Sequence, residues 1–304
     1  MTPKRRLALQ AALQAAPQAA SRPASPARRR FLKTLAAATV VGVAAPVYGH
    51  ECEAEHLGVV HREVRLAGWP VAAAGMKIGQ LSDLHCQDRR SVARVERAVG
   101  LLMAQKPDVV FLTGDFVSSA STYVRASVRV LAPLRTVPRG VFAVLGNHDW
   151  GGRHHGERPA YVTRALEQAG FQVLRNRSAP LPGVPGVWLV GLDPRSMSAQ
   201  DPVQALRGVP AGAVKLLLVH EPDYADEAPP GFSLQLSGHS HGGQIRLPGL
   251  PPLHCPNYGR QYPEGLRQAT HHLVYTSRGV GMIGPQVRLF CPPEVTVLTV
   301  QPAG

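Results

Sequence analysis

Five short apolar runs each lead into side chains that can bind a metal ion or move a proton. The run at 76–81 leads into Asp83-Leu84-His85, that at 109–112 into Gly114-Asp115, and that at 141–145 into Gly146-Asn147-His148-Asp149. Further along, 216–219 ends at His220, and 234–236 ends at Ser237-Gly238-His239-Ser240-His241. Asp83 and His85, two residues apart, are expected on one side of an extended strand end. Each motif alone is ambiguous. A Gly-Asp after a strand commonly makes a turn, and a single strand-end histidine commonly satisfies a hydrogen bond. Together they favour metal binding, because carboxylates and imidazoles beside an apolar core cost free energy unless paired or metal-bound. Mixed carboxylate, amide and imidazole donors suit Mn, Fe or Zn, and the absence of Cys from most of the set argues against a structural zinc.

Such residues act together only if their strands deliver them to one edge, and polar groups just past strand C-termini are where open α/β folds place chemistry. The runs at 76–81, 109–112, 141–145, 187–190 and 216–219 are short and apolar, and read as buried strands. Between the first two, Val92, Val95, Val99, Leu102 and Met103 recur at helical spacing, and Lys106-Pro107 stops that helix. Residues 123–134 and 161–169 are the next helical candidates. A strand-richer half follows, with 234–236, 244–246, 273–276 and 295–300 as strands. Pro and Gly crowd 180–186 and 248–263, which read as surface loops. The pattern is α/β, with central sheets and helices outside. No repeat of fixed period and no domain boundary after residue 50 is evident.

The chain has 304 residues and a net charge of +13, from 33 Lys and Arg against 20 Asp and Glu. A strongly basic chain invites a nucleic-acid reading, but the charge is unevenly placed. Eight basic groups and no acid precede Glu51, which leaves +5 on residues 51–304. The body has no dense Lys/Arg run and no aromatic stacking platform, so nuclease activity ranks low. Residues 1–27 are too poor in large apolar groups to fold. Arg28-Arg29-Arg30-Phe31-Leu32-Lys33 and an uncharged run at 34–47 then make a secretory signal, whose Arg-Arg-x-Phe-Leu-Lys spacing resembles the twin-arginine export signal. The apolar run is shorter than the ~20 residues of an ordinary membrane-spanning helix. Val47-Tyr48-Gly49 is a poor cleavage site, which leaves retention as an N-terminal anchor open. The expected organisation is a signal or anchor at 1–49, a lead-in at 50–74 and one domain at 75–304. The expected location is the periplasm or envelope, reached through the twin-arginine machinery.

In order and context, Asp83-x-His85, Gly114-Asp115, Gly146-Asn147-His148-Asp149, His220 and Gly238-His239-x-His241 resemble the five motifs of the calcineurin-like metallophosphoesterases. With the Arg-Arg leader, Gly242-Gly243-Gln244, Ser277-Arg278-Gly279 and Cys291-Pro292-Pro293-Glu294, the chain is similar to the bacterial twin-arginine-exported phosphodiesterase branch. That branch is itself similar to UDP-2,3-diacylglucosamine hydrolases. The resemblance implies a four-layer αββα sandwich of two mixed sheets flanked by helices, holding two divalent ions. It implies that Asp83, His85 and His241 hold one ion, that Asn147, His220 and His239 hold the other, and that Asp115 bridges them. It places His148 on the phosphoryl oxygens or the leaving group, with Asp149 orienting its ring. Physical logic agrees. Two cations ~3.5–4 Å apart neutralise the anionic oxygens that repel a nucleophile, and they lower the pKa of a bound water. A neutral Asn oxygen avoids cancelling their charge.

The leading expectation is therefore hydrolysis of a phosphodiester by metal-bound hydroxide. The alternatives are pyrophosphate hydrolysis of UDP-2,3-diacylglucosamine in lipid A synthesis, and a non-catalytic metal- or envelope-binding protein. Arg278 could grip substrate phosphate or pair with a carboxylate. His154 and His155 could rim the pocket or be solvated loop residues, and Tyr258, Arg260 and Tyr262 could form a substrate lid. Cys52, Cys86, Cys255 and Cys291 allow three disulfide pairings, with Cys86 a candidate buried thiol.

Overall fold

The computed structural model describes residues 25–118, 121–151 and 156–304. Residues 1–24, His154 and His155 lie outside the described residues. The chain divides into two units, 1–44 and 45–304. Helix α1 (Pro26–Glu51) carries the Arg28-Arg29 motif, begins in the first unit and ends in the second. No described helix is long and apolar enough to cross a membrane.

Two six-stranded mixed sheets build the second unit, their strands numbered here along the chain. The first runs β1 (Gly58–Leu66), β12 (Glu294–Pro302), β2 (Met76–Leu81), β3 (Val109–Leu112), β4 (Val141–Ala143), β5 (Gln172–Val173). The second runs β10 (Gly265–Gln268), β11 (Leu273–Thr276), β9 (Leu234–Ser237), β8 (Val214–Leu218), β7 (Val187–Gly191), β6 (Arg177–Pro180). Strands β2 to β5 are mutually parallel, as are β11, β9, β8 and β7, so the C-terminal ends of each set share an edge.

Alternation along the strands explains the layers. In β3, Val109 and Phe111 belong to the core between the sheets, whereas Val110 and Leu112 belong to a second core on the outer face. Against that outer core pack α2 (Arg89–Ala104), α3 (Val124–Val130) and α4 (Arg158–Gln168), through Val95, Leu102, Val124, Val162 and Leu166. In β8, Leu216 and Leu218 face the inter-sheet core, while Leu217 joins Tyr224 and Ala205 on the far side of the second sheet. Both faces of the central strands are buried, so their sequences read as continuous apolar runs. Each fully buried Leu, Phe or Ile contributes about 1.5–3 kcal/mol. The result is the four-layer αββα arrangement of two mixed sheets flanked by helices.

Three expectations change. The 123–134 helix divides into α3 and a 3₁₀ turn at Ala132–Thr136, because Pro133 cannot continue the α-helical hydrogen bonding. Residues 244–246 are not a strand: only Ile245 bridges, to Leu289, and Gln244 has a φ of 55°. The 50–74 lead-in is part of the sheet, since all nine residues of β1 pair with β12. Beside it, Glu55 accepts from Arg90 Nε (2.9 Å), Arg94 Nη2 (2.7 Å) and Arg97, all on α2. That helix starts where the Asp88 side chain accepts from the Ser91 amide.

Candidate dinuclear metal centre

The C-terminal ends of β2, β3 and β4 meet those of β8 and β9 at one edge of the two sheets. Gln80 crosses the interior behind them, donating to Ser237 O across the sheets at 2.9 Å and to Thr113 Oγ1 at 3.0 Å. The chain then turns sharply. Asp83, His85, Asp115, His239 and His241 all have φ between 46° and 69°, so the expected extended placement of Asp83 and His85 gives way to left-handed backbone. Non-glycine residues adopt that conformation rarely, and it persists where surrounding contacts enforce it. Here it lets several short loops aim side chains at one point.

Two buried donor sets share Asp83: Asp83, His85 and His241 form one, and Asp83, Asp115 and His220 the other. In the first, the Nε2 atoms of His85 and His241 lie 3.1 Å apart, and His241 Nε2 lies 3.3 Å from Asp83 Oδ1. In the second, Asp115 Oδ2 lies 3.2 Å from His220 Nε2 and 3.4 Å from His85 Nε2. The other oxygen of Asp115 accepts from the His148 amide at 2.8 Å. One oxygen is thus pinned by backbone, while its partner stands between imidazoles of the two sets. His220 Nδ1 donates to Thr113 O at 2.7 Å, which leaves Nε2 for the centre. His239 gives Nε2 to the Asn257 carbonyl at 2.8 Å, which leaves Nδ1, and its ring sits 5.0 Å from that of His220.

Electrostatics divide the sets. Burial drives the His85 and His241 imidazoles down to about 3, despite the raising pull of Asp115 on the former and Asp83 on the latter. Both rings are neutral, as ligands must be. Burial acts the same way on His220, but the Asp115 carboxylate overcomes it and holds that imidazole well above its usual value. Asp115 itself stays well below the carboxylate range: burial pushes it up, and His220 and His148 more than reverse that.

The donor chemistry fits divalent ions. Asn147 Oδ1 is buried without a hydrogen-bond partner. An orphaned buried polar atom costs about 1–3 kcal/mol, and a coordinated cation would satisfy it. The motif glycines permit the crowding: a Cβ at Gly238 would collide with the Ser82 and Asp83 side chains, and one at Gly146 with Asp115.

His148 has its Nδ1 2.8 Å from the Ser118 carbonyl, which fixes the ring with Nε2 as the free nitrogen. The expectation that Asp149 orients this ring is corrected. The Asp149 carboxylate accepts instead from the amides of Asp115 (2.8 Å), Phe116 (2.8 Å) and Gly146 (2.9 Å), and so ties the second and third motif loops together. Burial and the Asp115 charge push its carboxyl up to about 7, against which these amide donors work. Arg278 donates from Nε to Glu294 at 2.7 Å, so the carboxylate-paired alternative describes it, not a free phosphate grip. The loop bearing Tyr258, Arg260 and Tyr262 is tethered: Asp223 accepts from the amides of Arg260, Gln261 and Tyr262. All four cysteines are free thiols, and burial raises Cys86 to about 12.

Two contributors carry no local sequence signal. Ser118 places its Oγ 3.2 Å from His85 Nδ1 as well as holding His148. Arg288 is fully buried, and its guanidinium donates to the carbonyls of Arg278 (2.7 Å), Gly279 (3.2 Å), Gly281 (2.7 Å) and Cys291 (3.1 Å), with His241 O at 3.5 Å. The amides of Val280 and Gly281 donate in turn to Ser82 O and Asp83 O. Arg288 therefore fastens the His241 loop to the backbone that carries Asp83. Only the isolated arginine in an apolar stretch, Val287-Arg288-Leu289-Phe290, hints at this in the sequence.

Comparisons with known proteins agree with this geometry. Residues 76–243, spanning all five motifs, match the calcineurin-like phosphoesterase family model. The chain is 33% identical to the phosphodiesterase YaeI of Escherichia coli, over 89% of this chain and 98% of that protein. It is 32% identical to the uncharacterized metallophosphoesterase YkuE of Bacillus subtilis, over 90% and 97%. A UDP-2,3-diacylglucosamine pyrophosphatase, LpxG of Chlamydia muridarum, is 27% identical over 84% and 94%. A complete ordered motif set, folded so that its donors converge, and full-length relatives above 30% identity have one explanation: the chain belongs to the calcineurin-like phosphoesterase family and is a metal-dependent phosphoric ester hydrolase.

Proposed function

We propose that the protein hydrolyses a phosphodiester at a dinuclear centre. In it Asp83, His85 and His241 would hold one ion, Asn147, His220 and His239 would hold the other, and Asp115 would serve both. The observation that carries the assignment is Asp115, whose Oδ1 is fixed by the His148 amide while Oδ2 stands within 3.4 Å of imidazoles from both sets. When bound, the divalent ions supply charge neutralisation and an activated water; Mn, Fe and Zn suit the donors. The protein's own residues do the rest. With Nδ1 committed to Ser118 O, a protonated His148 can release its proton only from Nε2, towards the leaving alkoxide. Such general acid catalysis contributes ~10²–10⁴-fold. Asp149 keeps the His148 and Asp115 loops in register. Turnover of bis-p-nitrophenyl phosphate, exceeding that of the monoester, restored by Mn²⁺ and abolished by chelator, tests the reading. No turnover of the diester with any divalent ion would overturn the phosphodiesterase reading.

A second reading is hydrolysis of the UDP-2,3-diacylglucosamine pyrophosphate bond. The Chlamydia relative and the exposed apolar side chains near the centre support it. The leader weighs against it, because that chemistry occurs on the cytoplasmic side. We propose export by the twin-arginine machinery to the periplasm or envelope, supported by the Arg28-Arg29-x-Phe31-Leu32-Lys33 spacing and the apolar run after it. Normal export of a variant with Arg28→Lys and Arg29→Lys would refute this.

A further inference from the structure

Ten large apolar side chains are exposed among the described residues, and eight of them fall in three linked segments. Leu247, Leu250 and Leu253 lie on the loop that leaves the centre after Gly243, and Tyr258 lies further along it. Ile283 and Phe290 lie on a strap fastened to the start of that loop: Gln244 Nε2 donates to Ile283 O at 2.9 Å, and the Arg246 amide donates to Leu289 O at 2.8 Å. The remaining two, Val47 and Tyr48, are on the last turns of α1, next to Gly49, whose carbonyl accepts from the Arg288 amide at 3.1 Å. The loop is close to the centre. Asn257 holds His239, and a cavity of about 560 Å³ is lined by Arg246, Leu253, His254, Arg260 and Arg267 with Glu264 as its sole acid.

We propose that the 247–258 loop, the 283–290 strap and the 47–48 turn together dock the catalytic body on an anionic lipid bilayer, with the arginine-lined cavity facing the headgroups. Three observations select this occupant. Soluble monomers seldom concentrate exposed apolar side chains in this way. Residues 241–292 carry five arginines and one acid; Arg288 is buried and Arg246 and Arg278 pair with Glu264 and Glu294, which leaves Arg260 and Arg267 as exposed cations among the apolar side chains. The same surface receives the end of α1, whose sequence is basic up to its terminal Glu51 and has an apolar run too short to span a bilayer. A weak interfacial segment needs a second signal for stable attachment, and apolar contact with nearby cations supplies one. Aromatic and leucine side chains would enter the headgroup boundary while the arginines meet phosphates. Docking is independent of the turnover proposed above. Delivery of an amphiphilic phosphoester to the centre rests on that reading.

The test uses the full chain and sedimentation with vesicles of phosphatidylglycerol and phosphatidylcholine. The protein should pellet with the mixed vesicles and far less with phosphatidylcholine alone. Replacing Leu247, Leu250 and Phe290 by Ser should weaken vesicle partition at least ~10-fold while turnover of bis-p-nitrophenyl phosphate is unchanged, which also shows that the variant is folded. Undiminished pelleting of the variant would place all attachment in the leader and overturn the proposal. So would a concentration-dependent dimer that the three changes dissolve without vesicle binding by either form, since a second copy would then be the occupant. Loss of diester turnover in the unaltered protein would sink the phosphodiesterase reading and leave the vesicle result standing.

Discussion

The two donor sets are built from the same residue types and share Asp83, yet they sit in opposite protonation states. His85 and His241 are neutral because burial has removed any use for their protons, both falling to about 3. His220 is equally buried but keeps its proton to well above the usual value, because Asp115 lies 3.2 Å away. A nearby carboxylate therefore decides whether an enclosed imidazole is already a ligand or must first give up a proton. The His85/His241 set would take an ion without proton exchange. The His220 set would take one by displacing a proton.

The largest effect that could break this comparison is loss of the residue that joins the sets. Asp115→Ala, at the carboxylate between His85 and His220, should empty both sets and lower turnover by ~10³–10⁵-fold, the several kcal/mol that metal ions supply. Retention of one ion, measured by elemental analysis, would show that the sets are not joined at Asp115. Next, His148→Ala should cost ~10²–10⁴-fold in turnover with both ions retained; metal loss equal to that of Asp115→Ala would make His148 a ligand, not an acid. Arg288→Lys should weaken the His85/His241 set alone by ~10–100-fold, the usual effect of an outer contact on metal affinity. Equal weakening of both sets would assign Arg288 to general stability.

Acid sharpens the contrast by the smallest step. Below the pKa of His220, affinity of its set should fall about tenfold per pH unit, so on acidification its ion should be lost before the ion of the His85/His241 set. Simultaneous loss of both would contradict the difference in protonation. In the metal-free protein the signs run oppositely. His85 and His241 have lowered values, so stability falls as pH drops from 6.5 towards about 3, by up to about 1.4 kcal/mol per pH unit for each ring. His220 is raised, so its contribution is complete below 6.5 and is lost as pH climbs through its folded value.

Much of this arrangement is legible in the residue order. Strands buried on both faces leave unbroken apolar runs, and glycines that must lie against Asp83 and Asp115 cannot be anything larger, so the five motifs announce themselves. The missing parts are those whose reason lies far away in sequence. Asp149 follows His148 directly, which suggests contact, yet its carboxylate turns to amides 33 and 34 residues back. Arg288 serves carbonyls from five residues on three segments, and none of them marks it locally. Strand β1 alternates between arginine, glutamate and valine because it is an edge strand, so it lacks the apolar signature of its neighbours. The left-handed backbone at the donor residues is likewise set by the loops around them.

Gln80 donates across the two sheets, and the Asp83 carboxylate accepts from the His239 amide at 3.0 Å, although the two residues are 156 positions apart. The donors do not exist as a cluster until the two halves of the chain have closed on each other. Ions that bind only the closed form stabilise it by an amount that grows with the logarithm of their free concentration. The working lifetime of the protein is thus coupled to metal supply: starvation for the ion would appear first as a lower melting temperature and faster proteolysis, before any change in the amount of chain synthesised.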